Sequence, residues 1–177
     1  YAVVRRTPLC SQQLQHRICT VPPPSSGGLA LLQTLALLNQ TTNLNSSSTG
    51  EPQLWRQLAR AQAWADADRL YWVHDPIDGA VPSAALLDPA YIVSRATAMQ
   101  GANGSRPTPG LPPGIDRYPY GRPDRGIEQG TSQITIVDAS GNIASYTSSV
   151  ETIFGSRHLV GGMVMNNQLT DFAFKPS

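Results

Sequence analysis

The sequence carries little charge and has no long apolar run. Only 14% of its 177 residues are charged, and the net charge of +1 comes from basic residues that are scattered rather than clustered. Such a chain generates no field that would concentrate nucleic acid or an anionic membrane surface, so neither is expected as a partner. The longest apolar stretch, between Gly28 and Leu38, falls well short of the roughly 20 residues a membrane helix needs. Histidine and cysteine are scarce, and no His/Cys set with zinc spacing surrounds His16, so no metal is expected; no cofactor is expected either. An initiator Met is absent too. The chain starts at Tyr1 and ends at Lys175-Pro176-Ser177 directly after strand-like residues, which reads as a piece cut from something longer. With 40% apolar residues it can bury one core of ordinary size, which makes one domain the expectation.

The two cysteines, Cys10 and Cys19, bracket the alternating segment CSQQLQHRIC. A short hairpin there would bring the sulfurs within bridging range, and a disulfide would fit an oxidising compartment, periplasmic or secreted. Two unrelated free thiols are the competing reading. After this segment, three prolines stiffen VPPPSSGG, in which Ser25 or Ser26 can cap a helix and the glycines permit close backbone approach. The following LALLQTLALL is apolar around most of its circumference, which predicts a largely buried helix. Residues 39–51 are polar, low in complexity and expected to be mobile.

From Pro52 the pattern changes. Leu54, Trp55, Leu58, Ala61, Trp64 or Ala65, and Leu70 or Tyr71 recur at helical spacing, predicting an amphipathic helix of four or five turns. HDPIDG reads as a turn, and Asp88-Pro89-Ala90 as an N-cap with proline at the first helical position of a helix ending near Gly101. Between Gly101 and Gly130, proline and glycine exclude any regular element and suggest a long flexible connector.

That connector runs into Gly130-Thr131 and the strand-like TSQITIVD. A Thr hydroxyl is a poor nucleophile without an adjacent base, and one solution is to make the Thr a chain N-terminus whose own α-amine serves as that base. Asp138 to Asn142 form a turn set between two β-type runs, Gln133 to Val137 and Ile143 to Thr147. If the hairpin is centred near Ser140, paired residue numbers total 280 or 281, which sets Ser149 opposite Thr131 with Glu151 just beyond; a slip of one residue would turn Ser149 away. Downstream, Met163 to Met165 reads as a short buried strand, followed by the amide- and carboxylate-rich NNQLTD.

PPPSSGG, TSQITIVDASGN, TIFGS and NNQLTDF, in this order and at similar separations, resemble the γ-glutamyltranspeptidase family. The resemblance implies an α+β fold, a part of the αββα sandwich of an N-terminal nucleophile hydrolase. Residues 1–177 would then be a single partial domain. Within it, 1–130 would form the C-terminal part of a large-subunit region with a flexible 101–130 connector, and 131–177 the N-terminal part of a small-subunit region. It also implies a precursor that cuts itself between Gly130 and Thr131. Thr131 corresponds to the catalytic nucleophile, Ser149 to its hydroxyl neighbour on the return strand, and Glu151, Gln168 and Asp171 to the residues that hold the donor's α-amino and α-carboxylate groups. The implied substrates are a glutathione-type γ-glutamyl donor and an amino-acid or peptide acceptor, and the implied partners are the remaining parts of both subunits. Two positions depart from the pattern: Gln133 stands where many members have His, and Glu151 where many have Asn. The family's carboxylate-binding Arg, its Ser-Ser element and its oxyanion-hole Gly-Gly element correspond to sequence outside these 177 residues. This piece alone is therefore expected to be inactive. The second reading is a non-catalytic fragment that folds or binds a glutamate-like ligand without turnover.

Overall fold

Helices and antiparallel strand pairs share the chain, and the computed structural model describes residues 2–13, 15–41, 52–74, 80–102, 104–115 and 131–168. The chain divides into two units, Tyr1–Pro123 and Asp124–Pro176. In the first, strands β1 (Leu9–Gln13) and β2 (His16–Thr20) pair antiparallel with Cys10 opposite Cys19, and the two sulfurs are bonded. Helix α1 (Gly27–Thr41) begins where Ala30 N donates to the Ser26 carbonyl, while the Ser26 hydroxyl accepts from Arg69 at 3.0 Å. Gly28 is required by space. A Cβ there would sit 1.8 Å from Thr20 Oγ1 and 2.2 Å from the Val21 carbonyl oxygen, so only glycine lets the helix start against the end of β2. As its composition predicts, α1 is buried along Leu29, Leu32, Ala36, Leu37 and Leu38, leaving Leu31 open. The helix includes residues 39–41 of the polar stretch; the rest of that stretch and most of HDPIDG lie outside the described residues.

Helix α2 (Pro52–Trp72) presents Ala61, Trp64, Ala65, Asp68 and Trp72 inward, an unbroken stripe at spacings of three and four. Trp55, expected on that stripe, is instead 61% exposed, because it lies beside the buried face near the start of the helix. The short α3 (Ser83–Leu86) leads into α4 (Pro89–Gly101). Asp88 caps α4, its carboxylate accepting from Ala90 N at 2.8 Å and Tyr91 N at 3.2 Å, with Pro89 in the first turn where no N–H is needed. At the other end, the Arg60 guanidinium donates to the carbonyls of Met99 and Ala102. Two clusters fill the interior. Ala36, Leu37, Leu38, Ala61, Trp64, Ala65, Ile92, Ala96 and Met99 join α1, α2 and α4, and Leu29, Trp72, Leu86 and Tyr91 form the second. Each fully buried large side chain contributes about 1.5–3 kcal/mol.

One carboxylate sits inside this apolar frame. Asp68 is 1% exposed and forms a two-point ion pair with Arg95, Nη2 at 2.8 Å from Oδ1 and Nε at 3.1 Å from Oδ2. It also accepts from the Tyr91 hydroxyl at 2.9 Å, Gly110 N at 2.8 Å and Gln33 Nε2 at 3.3 Å. Burial pushes the Asp68 carboxyl up, against the pull of the Arg95 charge and of the N–H and O–H donors. Tyr91 is raised as well, first by burial and then by the neighbouring carboxylate, and so remains a phenol that donates to Asp68. The Arg95 guanidinium lies over the Trp64 ring, 4.5 Å from its centre, and donates to the Thr108 carbonyl at 2.8 Å.

This network reaches into the Pro/Gly-rich connector. Residues 104–115 contain no regular element, yet they are held: Gly110 donates to Asp68 and its carbonyl accepts from Trp72 Nε1 at 2.9 Å. A Cβ on Gly110 would meet Tyr91 Oη at 2.4 Å and Arg95 Cδ at 2.8 Å, so the clamp closes only on glycine. Residues 116–130, the remainder of the expected flexible connector, lie outside the described residues.

In the second unit, β3 (Thr131–Val137) pairs antiparallel with β4 (Ile143–Ser149), and β5 (Leu159–Val160) with β6 (Met163–Val164) through Gly161-Gly162. The expectation of a buried strand at 163–165 needs correction: Met163 is 65% exposed. Two-residue strands make a ribbon too small to cover its own faces.

The Asp68 network yields a stability test. Asp68→Asn should cost about 3–5 kcal/mol by leaving a buried guanidinium uncompensated, whereas Asp68→Leu combined with Arg95→Met should cost clearly less than the two single losses together. Urea unfolding of the starting protein, Asp68→Leu, Arg95→Met and the double variant measures the coupling.

Candidate active site

The geometry around Thr131 starts from a turn. Asp138 Oδ1 accepts from Ser140 N at 2.9 Å and Asn142 N at 2.8 Å, and Oδ2 accepts from Asn142 Nδ2 at 2.8 Å. The backbone closes the same turn through Gly141 N to Asp138 O and Asp138 N to Asn142 O, both at 3.0 Å. These bonds hold the Asp138 carboxyl below the usual carboxylate range, the Asn142 side chain contributing most. They also set the register. Val137 pairs with Ile143, and the ladder runs without a bulge to Thr131 opposite Ser149.

Directly opposite residues project from the same face, so the ladder builds a polar row: Thr131 with Ser149, Gln133 with Thr147, and Thr135 with Ser145. Thr131 Oγ1 donates to Ser149 Oγ at 3.0 Å, and Ser149 Oγ also accepts from Glu151 N at 3.0 Å. Gln133 crosses the row, its Oε1 accepting from Thr147 Oγ1 and its Nε2 donating to Ser145 Oγ at 2.7 Å. Gln133 therefore organises the hydroxyls next to Thr131, a role visible in the alternation once the register is known.

Beyond Ser149 the chain turns sharply, with Glu151 at φ 71°. The turn is stitched to a distant segment. Asn167 N donates to Val150 O at 3.4 Å, and Asn167 Oδ1 accepts from Thr152 N at 3.1 Å and Thr152 Oγ1 at 3.0 Å. This brings Gln168 to Glu151, Nε2 to Oε2 at 3.1 Å. Thr131, Ser149, Glu151 and Gln168 thus form one continuous series of contacts, and Thr152 and Asn167, which sequence reasoning did not single out, hold its far end. The Glu151 carboxylate stands at this end of the series, held by Gln168. Gly130 and Asp171 lie outside the described residues. Among the described residues no group of His, Cys, Asp and Glu could hold a metal ion, and no helix is long and apolar enough to cross a membrane.

Comparison with known proteins adds the wider context. The family profile described as gamma-glutamyltranspeptidase matches residues 1–177. The chain is 32% identical over 178 residues to the glutathione hydrolase proenzyme of Escherichia coli, covering 99% of this chain and 29% of the relative. It is 33% identical over 180 residues to that of Bacillus subtilis, covering 97% and 30%. The crystal structure of Helicobacter pylori gamma-glutamyltranspeptidase superimposes with a TM-score of 0.56 and 26% identity over 63% of this chain and 33% of that one. The chain thus spans about 30% of the length of the curated relatives it matches. Its mixed helix and antiparallel-strand content is that of part of an N-terminal nucleophile hydrolase fold.

The turn that sets the register can be titrated. A carboxyl with a depressed folded-state pKa supports the fold above its unfolded value, near 3.9, and loses that support as pH falls through the folded value. The Asp138 carboxyl should therefore titrate by NMR with a midpoint below 3.9, and the amides of β3 and β4 should lose exchange protection through the same pH interval. Asp138→Ala should raise exchange at these amides about tenfold at neutral pH.

Proposed function

Because the chain belongs to the γ-glutamyltranspeptidase family, we propose that it is the part of a γ-glutamyl hydrolase or transferase that carries the nucleophile, Thr131, together with its processing junction. The observation that carries this reading is the hydroxyl pair at the start of β3, Thr131 Oγ1 to Ser149 Oγ at 3.0 Å, followed by the Glu151–Gln168 contact. In the precursor, the Thr131 hydroxyl attacks the Gly130 carbonyl carbon, and the amide is exchanged for an ester; hydrolysis of that ester frees the Thr131 α-amine. An α-amine titrates at about 7.7–8.0, so an appreciable neutral fraction exists at neutral pH to take the hydroxyl proton.

The activated Thr131 then attacks the γ-carbonyl of a glutathione-type donor, expelling its amine. Water resolves the acyl-enzyme in hydrolysis, and an amino-acid or peptide amine resolves it in transfer. Ser149 holds the nucleophile's hydroxyl in one rotamer, with Glu151 N–H fixing Ser149 in turn. Asp171 pairs with the donor's α-ammonium, and Glu151 and Gln168, in contact with each other, supply further polar contacts. The chain covers about 30% of its curated relatives. The donor-carboxylate and oxyanion contacts are accordingly assigned to further parts of the large and small subunits, and turnover to the assembled protein. An exported location, periplasmic or secreted, agrees with the Cys10–Cys19 disulfide.

The test uses the precursor containing this chain. Mass spectrometry should find a break between residues 130 and 131, abolished by Thr131→Ala. Release of chromophore from a γ-glutamyl anilide should fall on the order of 10⁴-fold or more in that variant. A break before residue 131 in Thr131→Ala would refute the assignment. Glu151→Ala should act mainly on KM for the donor, as loss of a ground-state contact does. Turnover by the 177-residue chain alone would refute the assignment of essential contacts to other segments.

A further inference from the structure

The disulfide at the first hairpin is chemically lopsided. Cys10 and Cys19 are both exposed and directly opposed across β1 and β2. Because side chains alternate along a strand, Cys10, Gln12, Arg17 and Cys19 share one face of this ribbon, and Arg17, paired with Gln12, is the diagonal neighbour of Cys10. The Arg17 guanidinium takes up that position: Nη2 donates to Cys10 Sγ at 3.6 Å. The neighbouring sequence carries charge of one sign. The first 50 residues contain Arg5, Arg6 and Arg17 and not one Asp or Glu, the first carboxylate being Glu51.

These features bear directly on sulfur chemistry. In thiol–disulfide exchange the sulfur that departs more readily is the one whose thiolate is better stabilised, and a neighbouring guanidinium supplies that stabilisation. The exposed Arg17 guanidinium also attracts anionic reactants, including the attacking thiolate. Neither Cys10 nor Arg17 belongs to the site around Thr131, which lies in the other unit of the chain.

We propose that Cys10–Cys19 is a polarised exchange site for anionic low-molecular-weight thiols of the glutathione class, with Cys19 as the attacked sulfur and Cys10 as the leaving thiolate held by Arg17. The incoming thiolate forms a new S–S bond to Cys19 Sγ. The Cys10–Cys19 bond breaks, and its electron pair departs on Cys10 Sγ. One disulfide is consumed and one is formed, the negative charge of the reactant ends on Cys10, and no other oxidant or reductant takes part. A thiol carried on Cys19 stands next to Thr20, the residue against which Gly28 opens α1, so the adduct forms where the hairpin meets the helix. The step uses the sulfur of the thiol and not its γ-glutamyl bond, so it stands or falls independently of the function proposed for Thr131.

The experiment uses the precursor containing this chain, with Thr131→Ala, so that γ-glutamyl cleavage cannot consume the probe. The protein is mixed anaerobically with glutathione, quenched in acid, alkylated with N-ethylmaleimide and peptide-mapped. Chains bearing glutathione on Cys19 and maleimide on Cys10 should outnumber the reverse product about threefold or more, the size of effect one exposed ion pair supports. Arg17→Gln should bring the ratio close to one and slow opening by a similar factor, and Arg17→Lys should preserve the direction. Added salt should slow the reaction with glutathione more than that with uncharged 2-mercaptoethanol. A ratio near one or inverted in the starting chain, an unchanged ratio in Arg17→Gln, absence of any mixed disulfide, or equal salt dependence for the two thiols would each overturn the proposal.

Discussion

The helical unit is organised around the buried carboxylate of Asp68. Asp68 occupies a position on α2 that apolar periodicity reserves for a core side chain, and its ionised form is tolerable there only because Arg95 and three further donors converge on it. These donors come from α1, α4 and the irregular segment after α4, so satisfying one charge ties four parts of the chain together. Apolar packing alone could accept several sliding arrangements of Leu- and Ala-rich helices. A two-point guanidinium pair with a phenol and a backbone amide accepts far fewer, since any displacement strands a buried charge.

The same interaction determines where irregular chain can be ordered. Proline and glycine deny residues 104–115 the hydrogen bonds of a helix or sheet, so their order must come from side chains elsewhere. Gly110 obtains it by donating to Asp68 and accepting from Trp72, in a space that admits no Cβ. In the other unit a carboxylate again does the organising, but in water. Asp138 chelates the backbone of its own turn, the turn sets which residues face each other, and the ladder carries that choice over six residues to Thr131 and Ser149.

The contacts at Thr131 show how the two kinds of information combine. The Thr131–Ser149 pair follows from local turn chemistry. The approach of Gln168 to Glu151 requires a chain reversal in which Asn167 accepts two bonds from Thr152, and this arrangement orders the carboxylate end of the row. Gln133 bridges neighbouring hydroxyls because its amide can both donate and accept.

What the sequence alone determined is what short-range physics governs. The α2 helix followed from spacing, the start of α4 from Asp88-Pro89, and the existence of the β3–β4 hairpin from a five-residue turn, while its register and the bonding of Cys10 to Cys19 each stood as one of two readings until the fold chose. Each depends on residues within one element or one turn of chain. Tertiary structure decided the rest. Asp68 gives no sign in the sequence of being buried, since its partners stand 23 to 42 residues away along the chain, and a carboxylate at a core position is ordinarily read as facing water. The guanidinium on Cys10, the clamp on Gly110 and the meeting of Glu151 with Gln168 are likewise contacts between side chains whose directions are settled only when the backbone has folded, because hydrogen bonds are short and directional while sequence separation carries no distance.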